Sequence, residues 1–193
     1  MRLGWWSRQP ITSICAIVDF RIDGCFDIVS PVTFSPEVHH RRSIRLWGFD
    51  YSLSGAYFLT ICTYERECVL VRGALVHAVR SEWSALSARF PTVCPDEFVA
   101  MPNHVHGVII VNEDETSAKV PLAQVVSAFK SLSAIKCNRI LGRADRPFWQ
   151  RNYYERIVRN EDELNRVRQY IRDNPAKWAE DKNNPANFGG RPS

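Results

Sequence analysis

Before residue 39 the apolar positions keep no period: Pro10, Gly24, Pro31 and Pro36 interrupt short hydrophobic bits, so 1–38 reads as an irregular N-terminal arm with no assignable role. A regular pattern begins at residues 56–65, AYFLTICTYE, where β-branched and aromatic residues predict a central strand. Leu75, Val79, Trp83 and Leu86 then recur near a 3.6 period and predict a helix over about 73–90. Two strand-like runs follow, DEFVAMP at 96–102 and HVHGVIIV at 104–111, joined by the turn-forming Pro102-Asn103. After a polar loop at 112–119, a second helix starts near Pro121, with Leu122, Val125, Val126, Phe129, Leu132, Ile135 and Ile140 on its apolar face. Residues 147–158, PFWQRNYYERIV, alternate bulky and polar side chains as a strand does.

The last helix carries the clearest signals. Asn160 with Glu163 makes a capping box, Glu161 and Asp162 put negative charge on the first turn, and Pro175 stops the helix. Its apolar face is Leu164, Val167 and Ile171. The order strand, helix, two strands, helix, strand, helix predicts an α+β fold. It is a ferredoxin-like sandwich: a four-stranded antiparallel sheet with helices on one face and an added C-terminal helix. One domain over 39–185 accounts for the pattern, with 186–193 as a flexible tail.

Composition narrows the picture modestly. No apolar run approaches the roughly 18–20 residues of a membrane span, so the expectation is a cytoplasmic protein with no membrane partner. The six cysteines show no CxxC or CxxH spacing and are expected to be reduced thiols. The formal charge of +4 is uneven. Residues 121–193 carry 14 Lys/Arg against 8 Asp/Glu, a net of +6 that leaves −2 for residues 1–120. A basic C-terminal half suits a polyanion.

Candidate chemistry lies on two elements. His104 and His106 are one residue apart in a strand, which puts both imidazoles on one face and makes half of a divalent metal site. Tyr170 and Asn174 lie four apart on the last helix and share a face. A phenol with a pKa of about 10 is a poor nucleophile unless a charge or a base helps it. A metal ion held by two imidazoles and an amide oxygen would polarise a phosphate and stabilise its developing charge. Taken alone, an HxH pair is more often packed than metal-bound, and a Tyr beside an apolar stripe is more often a core residue.

The strings MPNHVHGVIIV, FKSLSAIKCNRI, FWQRNYYERIVRNEDEL and RQYIRDNPAKW, in this order, resemble the single-tyrosine HUH transposases, most closely the REP-associated tyrosine transposases. The resemblance runs from about Arg41 to Pro185. It implies that His104 and His106 are the HUH histidines, which bind Mg²⁺ or Mn²⁺. It implies further that Tyr170 of YIRDN is the nucleophile, forming a 5′-phosphotyrosine link, and that Asn174 is the amide able to complete the metal site. The implied function is metal-dependent nicking and strand transfer of single-stranded or hairpin DNA, by a monomer or a homodimer. Tyr153 and Tyr154 rank second as nucleophile, because alternating strand geometry sends their rings to opposite faces and neither has an amide partner at helical spacing.

Basic residues extend the DNA-binding reading. Arg41, Arg42 and Arg45, with His39 and His40, are candidates for phosphate contacts, and Trp47, Phe49 or Tyr51 for stacking on unpaired bases. Arg151, Arg156, Arg159, Arg166, Arg168 and Arg172 surround the candidate site in sequence. The competing functions are a DNA-hairpin-binding protein that has lost cleavage and a metal-dependent phosphodiesterase that uses water. A binding module has no need of His104, His106, Tyr170 and Asn174 together, and a protein–DNA adduct separates the nucleophilic enzyme from the hydrolase.

Overall fold

A computed structural model describes residues 54–113 and 120–188. The N-terminal arm, the basic stretch 39–51 with Arg41, Arg42 and Arg45, most of the polar loop and residues 189–193 lie outside these. Four strands, β1 (Gly55–Cys62), β2 (Val93–Met101), β3 (His104–Val111) and β4 (Tyr154–Val158), form one sheet in the order β2-β3-β1-β4. Every pairing is antiparallel. Helices α1 (Gly73–Ser84), α2 (Leu86–Arg89), α3 (Leu122–Leu141) and α4 (Glu161–Asp173) complete the expected ferredoxin-like order.

Period-two alternation divides the core between the two faces of the sheet. Tyr57, Leu59 and Ile61 of β1, with Val105 and Ile109 of β3, bury against Leu75, Val79 and Trp83 of α1 and Val125, Val126 and Phe129 of α3. The intervening residues Phe58 and Val108 face the other way, and with Val158 they pack against Leu164, Val167 and Ile171 of α4. Each of those three helix residues contributes about 1.5–3 kcal/mol over exposure. The added helix therefore covers the face opposite α1 and α3, the face on which His104 and His106 lie.

The cap of α4 works as expected, with one change of partner. Asn160 Oδ1 accepts from the Glu163 N–H at 2.8 Å, but Glu163 Oε2 reaches back to the Arg159 N–H at 2.9 Å instead of that of Asn160. Arg168 donates from Nε and Nη2 to Asp96 of β2, at 2.9 and 2.6 Å, and Arg172 pairs with Glu97 at 2.6 Å. Hydrophobic contacts and ion pairs together fix α4 on the sheet.

Several boundaries depart from the pattern. The first strand stops at Cys62, because Tyr64–Arg66 form a 3-10 turn in which Glu65 and Arg66 take positive φ, 52° and 56°. The first helix breaks at Ala85, with ψ near −3°. The expected strand 147–158 is laddered only from Tyr154, because Phe148 and Trp149 turn into the core and Trp149 Nε1 donates to Ser133 Oγ at 2.9 Å. Ile135 and Ile140 are exposed, since the buried stripe of α3 runs through Phe129, Ser133 and Cys137 at four-residue steps. Edge strand β2 starts earlier than expected and its register shifts between Pro95 and Phe98, where proline offers no N–H to the ladder. Residues Pro185–Phe188 form a further 3-10 turn. Cys62, Cys68 and Cys137 are free thiols, whereas Cys94 is disulfide-bonded and departs from the expectation of six reduced cysteines.

Candidate active site

The two histidines stand at the centre of the sheet. His104 pairs in register with Cys62 and Met101, and His106 with Thr60 and Val99. Both are buried, at 0% and 3% exposure. Their Nε2 atoms lie 3.1 Å apart. Asn103 uses its amide N–H groups on the Arg66 and Asn183 carbonyls, at 3.3 and 2.6 Å, so its Oδ1 is left to accept from His104 Nδ1–H at 2.9 Å. That fixes the tautomer: neutral His104 presents an Nε2 lone pair toward His106. His106 Nδ1 sits 2.8 Å from Thr60 Oγ1, a partner that holds the ring in the same way.

Electrostatics keeps both rings uncharged. Burial pushes His104 down to about 4, opposed by the neighbouring Asp181 carboxylate and assisted by Arg66 and Lys182. Burial, the charge of His104 and Lys182 push His106 down to about 3, and a hydrogen bond with the Leu59 backbone acts the other way. At neutral pH the imidazoles are thus in the form that binds metal. Two nitrogen lone pairs 3.1 Å apart require a proton or a cation between them. Two ligands at a right angle on an ion with bonds of about 2.1 Å would be about 3.0 Å apart, so the pair fits a six-coordinate divalent ion. Among the described residues, His104, His106 and Asp181 bring ligand atoms within 4.8 Å of one another.

Tyr170 faces this pair from α4. Its ring meets His106 edge-on at 5.4 Å between centroids and Phe58 at 6.0 Å. It is 47% exposed, and so reachable from solvent. Asn174 follows the end of α4 with helical φ and ψ, −57° and −42°, and is buried at 4% exposure. The four-residue spacing puts both residues on one side of the helix, with Asn174 buried and Tyr170 half exposed.

A cleft of about 790 Å³ opens over Tyr170 and His106, with Arg66, Arg156, Arg166 and Lys182 in its walls. Arg156 is held by Glu163 at 3.1 Å. Arg151 is exposed beside the cleft, its carbonyl accepting from Lys130 Nζ at 2.8 Å. Arg168 and Arg172, grouped with the site in sequence, instead turn to β2. Tyr153 and Tyr154 both border the cleft. Tyr153 also packs against the core shared with α1 and α3, whereas the ring of Tyr154, the first residue of β4, lies 6.4 Å from that of Phe58.

Four participants carried no sequence signal of their own. Thr60 and Asn103 were readable only as strand and turn residues. Phe58, stacked on His106 at 5.3 Å, was readable as a core residue. Asp181 comes from the turn beyond the 3-10 helix Asn174–Glu180, where no helical or strand period applies.

A family model described as "Transposase IS200 like" matches residues 55–174, from the start of β1 to Asn174. The chain is 33% identical over 177 residues to an uncharacterised protein of Haemophilus influenzae, a match covering 77% of this chain and 96% of that protein. It is also similar in structure to a REP-associated tyrosine transposase solved bound to a REP hairpin, with TM-score 0.53 and 19% identity over 69% of this chain and 73% of that one. That likeness bears on the fold, and it agrees with the four-stranded sheet and its helices. The family match encloses all four strands, both candidate histidines, Tyr170 and Asn174, and the chain belongs to the IS200-like transposase family.

Proposed function

We propose that the chain nicks and rejoins single-stranded DNA beside hairpin-forming repeats, with Tyr170 as nucleophile and Mg²⁺ or Mn²⁺ held by His104, His106 and Asn174. The observation that carries this reading is the division of exposure at one point: two buried, neutral imidazoles lie directly beneath a tyrosine open to a cleft with cationic walls. A nucleophile has to be reachable by the substrate, whereas metal ligands have to be dry and preorganised.

Tyr170 Oη attacks the scissile phosphorus, a phosphotyrosine bond forms, and the P–O3′ bond breaks. The phenolic proton is lost to solvent or to the departing oxygen, which ends as a 3′-hydroxyl. Rejoining reverses these steps with another 3′-hydroxyl, so no nucleotide cofactor is consumed. The bound cation would supply charge for the phosphate oxygens. Arg66, Arg166 and Lys182 contribute positive charge along the cleft for the flanking phosphates, with Arg41, Arg42, Arg45 and Arg151 as further contacts. A hairpin substrate is supported by the REP hairpin named with the similar transposase. Among the described residues no helix is long and apolar enough to cross a membrane; the proposed setting is the cytoplasm, and the proposed enzyme is a monomer or homodimer.

The test is incubation of labelled hairpin oligonucleotides bearing single-stranded flanks with Mg²⁺ or Mn²⁺, read on a denaturing gel. Cleavage is expected to need the metal and to vanish in His104→Ala and His106→Ala while hairpin binding persists. Full cleavage in EDTA would refute the reading.

A further inference from the structure

We infer that Asp181 is a carboxylate ligand of the same metal site, supplied by the turn that follows the tyrosine helix and lies beyond the family-matched span. The inference rests on the proposed metal site at His104 and His106. Asp181 Oδ2 lies 3.7 Å from His104 Nε2, and the ligand atoms of all three residues fall within 4.8 Å. On an octahedral ion with bonds of about 2.1 Å, neighbouring ligands stand about 3.0 Å apart and opposite ones about 4.2 Å. The His104–His106 and His104–Asp181 separations, 3.1 and 3.7 Å, fall within that range.

The turn is built to hold the carboxylate there. Asp181 Oδ1 accepts from the Asn183 N–H at 2.6 Å, and the Asp181 N–H donates to the Trp178 carbonyl at 3.2 Å. The Asp181 carbonyl in turn accepts from the Asn184 N–H and from Asn187 Nδ2, both at 2.9 Å. Asn103 ties the two halves together: its Oδ1 orients His104 while its Nδ2 donates to the Asn183 carbonyl at 2.6 Å. Arg66, thrown inward by its positive φ, donates from Nη1 to Asn183 Oδ1 at 2.5 Å. One side chain thus sets both the imidazole and the turn that carries the carboxylate.

Burial argues the same way. The Asp181 side chain is only 6% exposed, and a carboxylate taken out of water needs compensating charge. Lys182 and Arg66 are near enough to influence His104 beside it, yet Oδ2 points at a neutral imidazole nitrogen. A divalent cation meeting both atoms gives the carboxylate a partner. Hard ions such as Mg²⁺ and Mn²⁺ favour oxygen donors over an all-imidazole set.

The experiment uses the full chain, stripped with EDTA and titrated with Mn²⁺ without DNA, following free Mn²⁺ by electron paramagnetic resonance and melting temperature by circular dichroism. Wild type, Asp181→Asn, Asp181→Ala and His106→Ala are compared. Wild type is expected to bind and to melt higher with Mn²⁺. Asp181→Asn is expected to melt like wild type in EDTA, to bind at least about tenfold more weakly, and to lose the Mn²⁺-dependent rise. Binding by Asp181→Asn within about twofold of wild type, with His106→Ala unable to bind, overturns the role of Asp181 and leaves the histidine site standing. Loss of fold by both Asp181 variants in EDTA overturns it in favour of a structural carboxylate. No binding by wild type overturns both.

Discussion

Gly107 sits between His106 and Val108, where β3 passes against the Trp83 ring of α1. A Cβ added there would lie 2.4 Å from Trp83 Cζ2 and 2.6 Å from Cη2. Trp83 has nowhere to go: it is 3% exposed and wedged between Phe98 and Phe129, with ring centroids at 4.9 and 5.3 Å. Gly107→Ala therefore forces the strand and the ring about 1 Å apart, overpacking of the kind that costs about 1–3 kcal/mol. The clamped indole puts the expected cost in the upper half of that range. With about 2.1 cal/mol/K of unfolding entropy per residue over roughly 130 residues, 2–3 kcal/mol lowers Tm by about 7–11 °C. The assay is thermal denaturation by circular dichroism, with Trp83→Leu as a second background. There the indole is gone, and Gly107→Ala is expected to cost much less than it does beside Trp83. A Tm within about 1 °C of wild type for Gly107→Ala alone would refute the packing argument.

Three further outcomes follow from the same geometry. Both imidazoles have folded-state pKa values depressed below 6.5, to about 4 and about 3, so the unfolded chain takes up protons first as pH falls. Stability in EDTA is expected to drop between pH 6.5 and 4 by up to about 1.4 kcal/mol per pH unit for each histidine, and denaturant titrations showing no loss between pH 6.5 and 5 would contradict this. Thr60→Val removes the hydroxyl 2.8 Å from His106 Nδ1 and is expected to weaken Mn²⁺ binding about tenfold with little change in Tm, whereas unaltered affinity by calorimetry would count against that partner. Arg168→Ala severs a partly buried contact of α4 with Asp96 and is expected to cost about 1–3 kcal/mol of stability, so an unchanged urea midpoint would show that the apolar stripe alone holds the helix.

The parts of the fold that could be read from sequence are those where one local rule decides the outcome. HVHGVIIV alternates as a strand, so the shared face of His104 and His106 followed from period two, and the Asn160 cap and Pro175 bounded α4 to within a residue. Rules failed where tertiary contacts decide. Ile135 and Ile140 look like core in a helix pattern, yet the stripe chosen by packing runs through Ser133 and Cys137. Arg168 and Arg172 look like part of a basic site until Asp96 and Glu97 of β2 claim them. Asp181 reaches the histidines from a turn after the helix, and only the hydrogen bonds of Asn103 and Asn183 reveal why it is there.

The claim that Tyr170 is the nucleophile is tested most directly by trapping the covalent complex on a labelled hairpin oligonucleotide and mapping the nucleotide-bearing peptide by mass spectrometry. Tyr153 and Tyr154 also border the cleft and supply the competing hydroxyls. A 5′-phosphate remnant is expected on Tyr170, lost in Tyr170→Phe at unchanged Tm and hairpin affinity, and retained in Tyr153→Phe and Tyr154→Phe. A remnant on Tyr153 or Tyr154, or an adduct that persists in Tyr170→Phe, would contradict it.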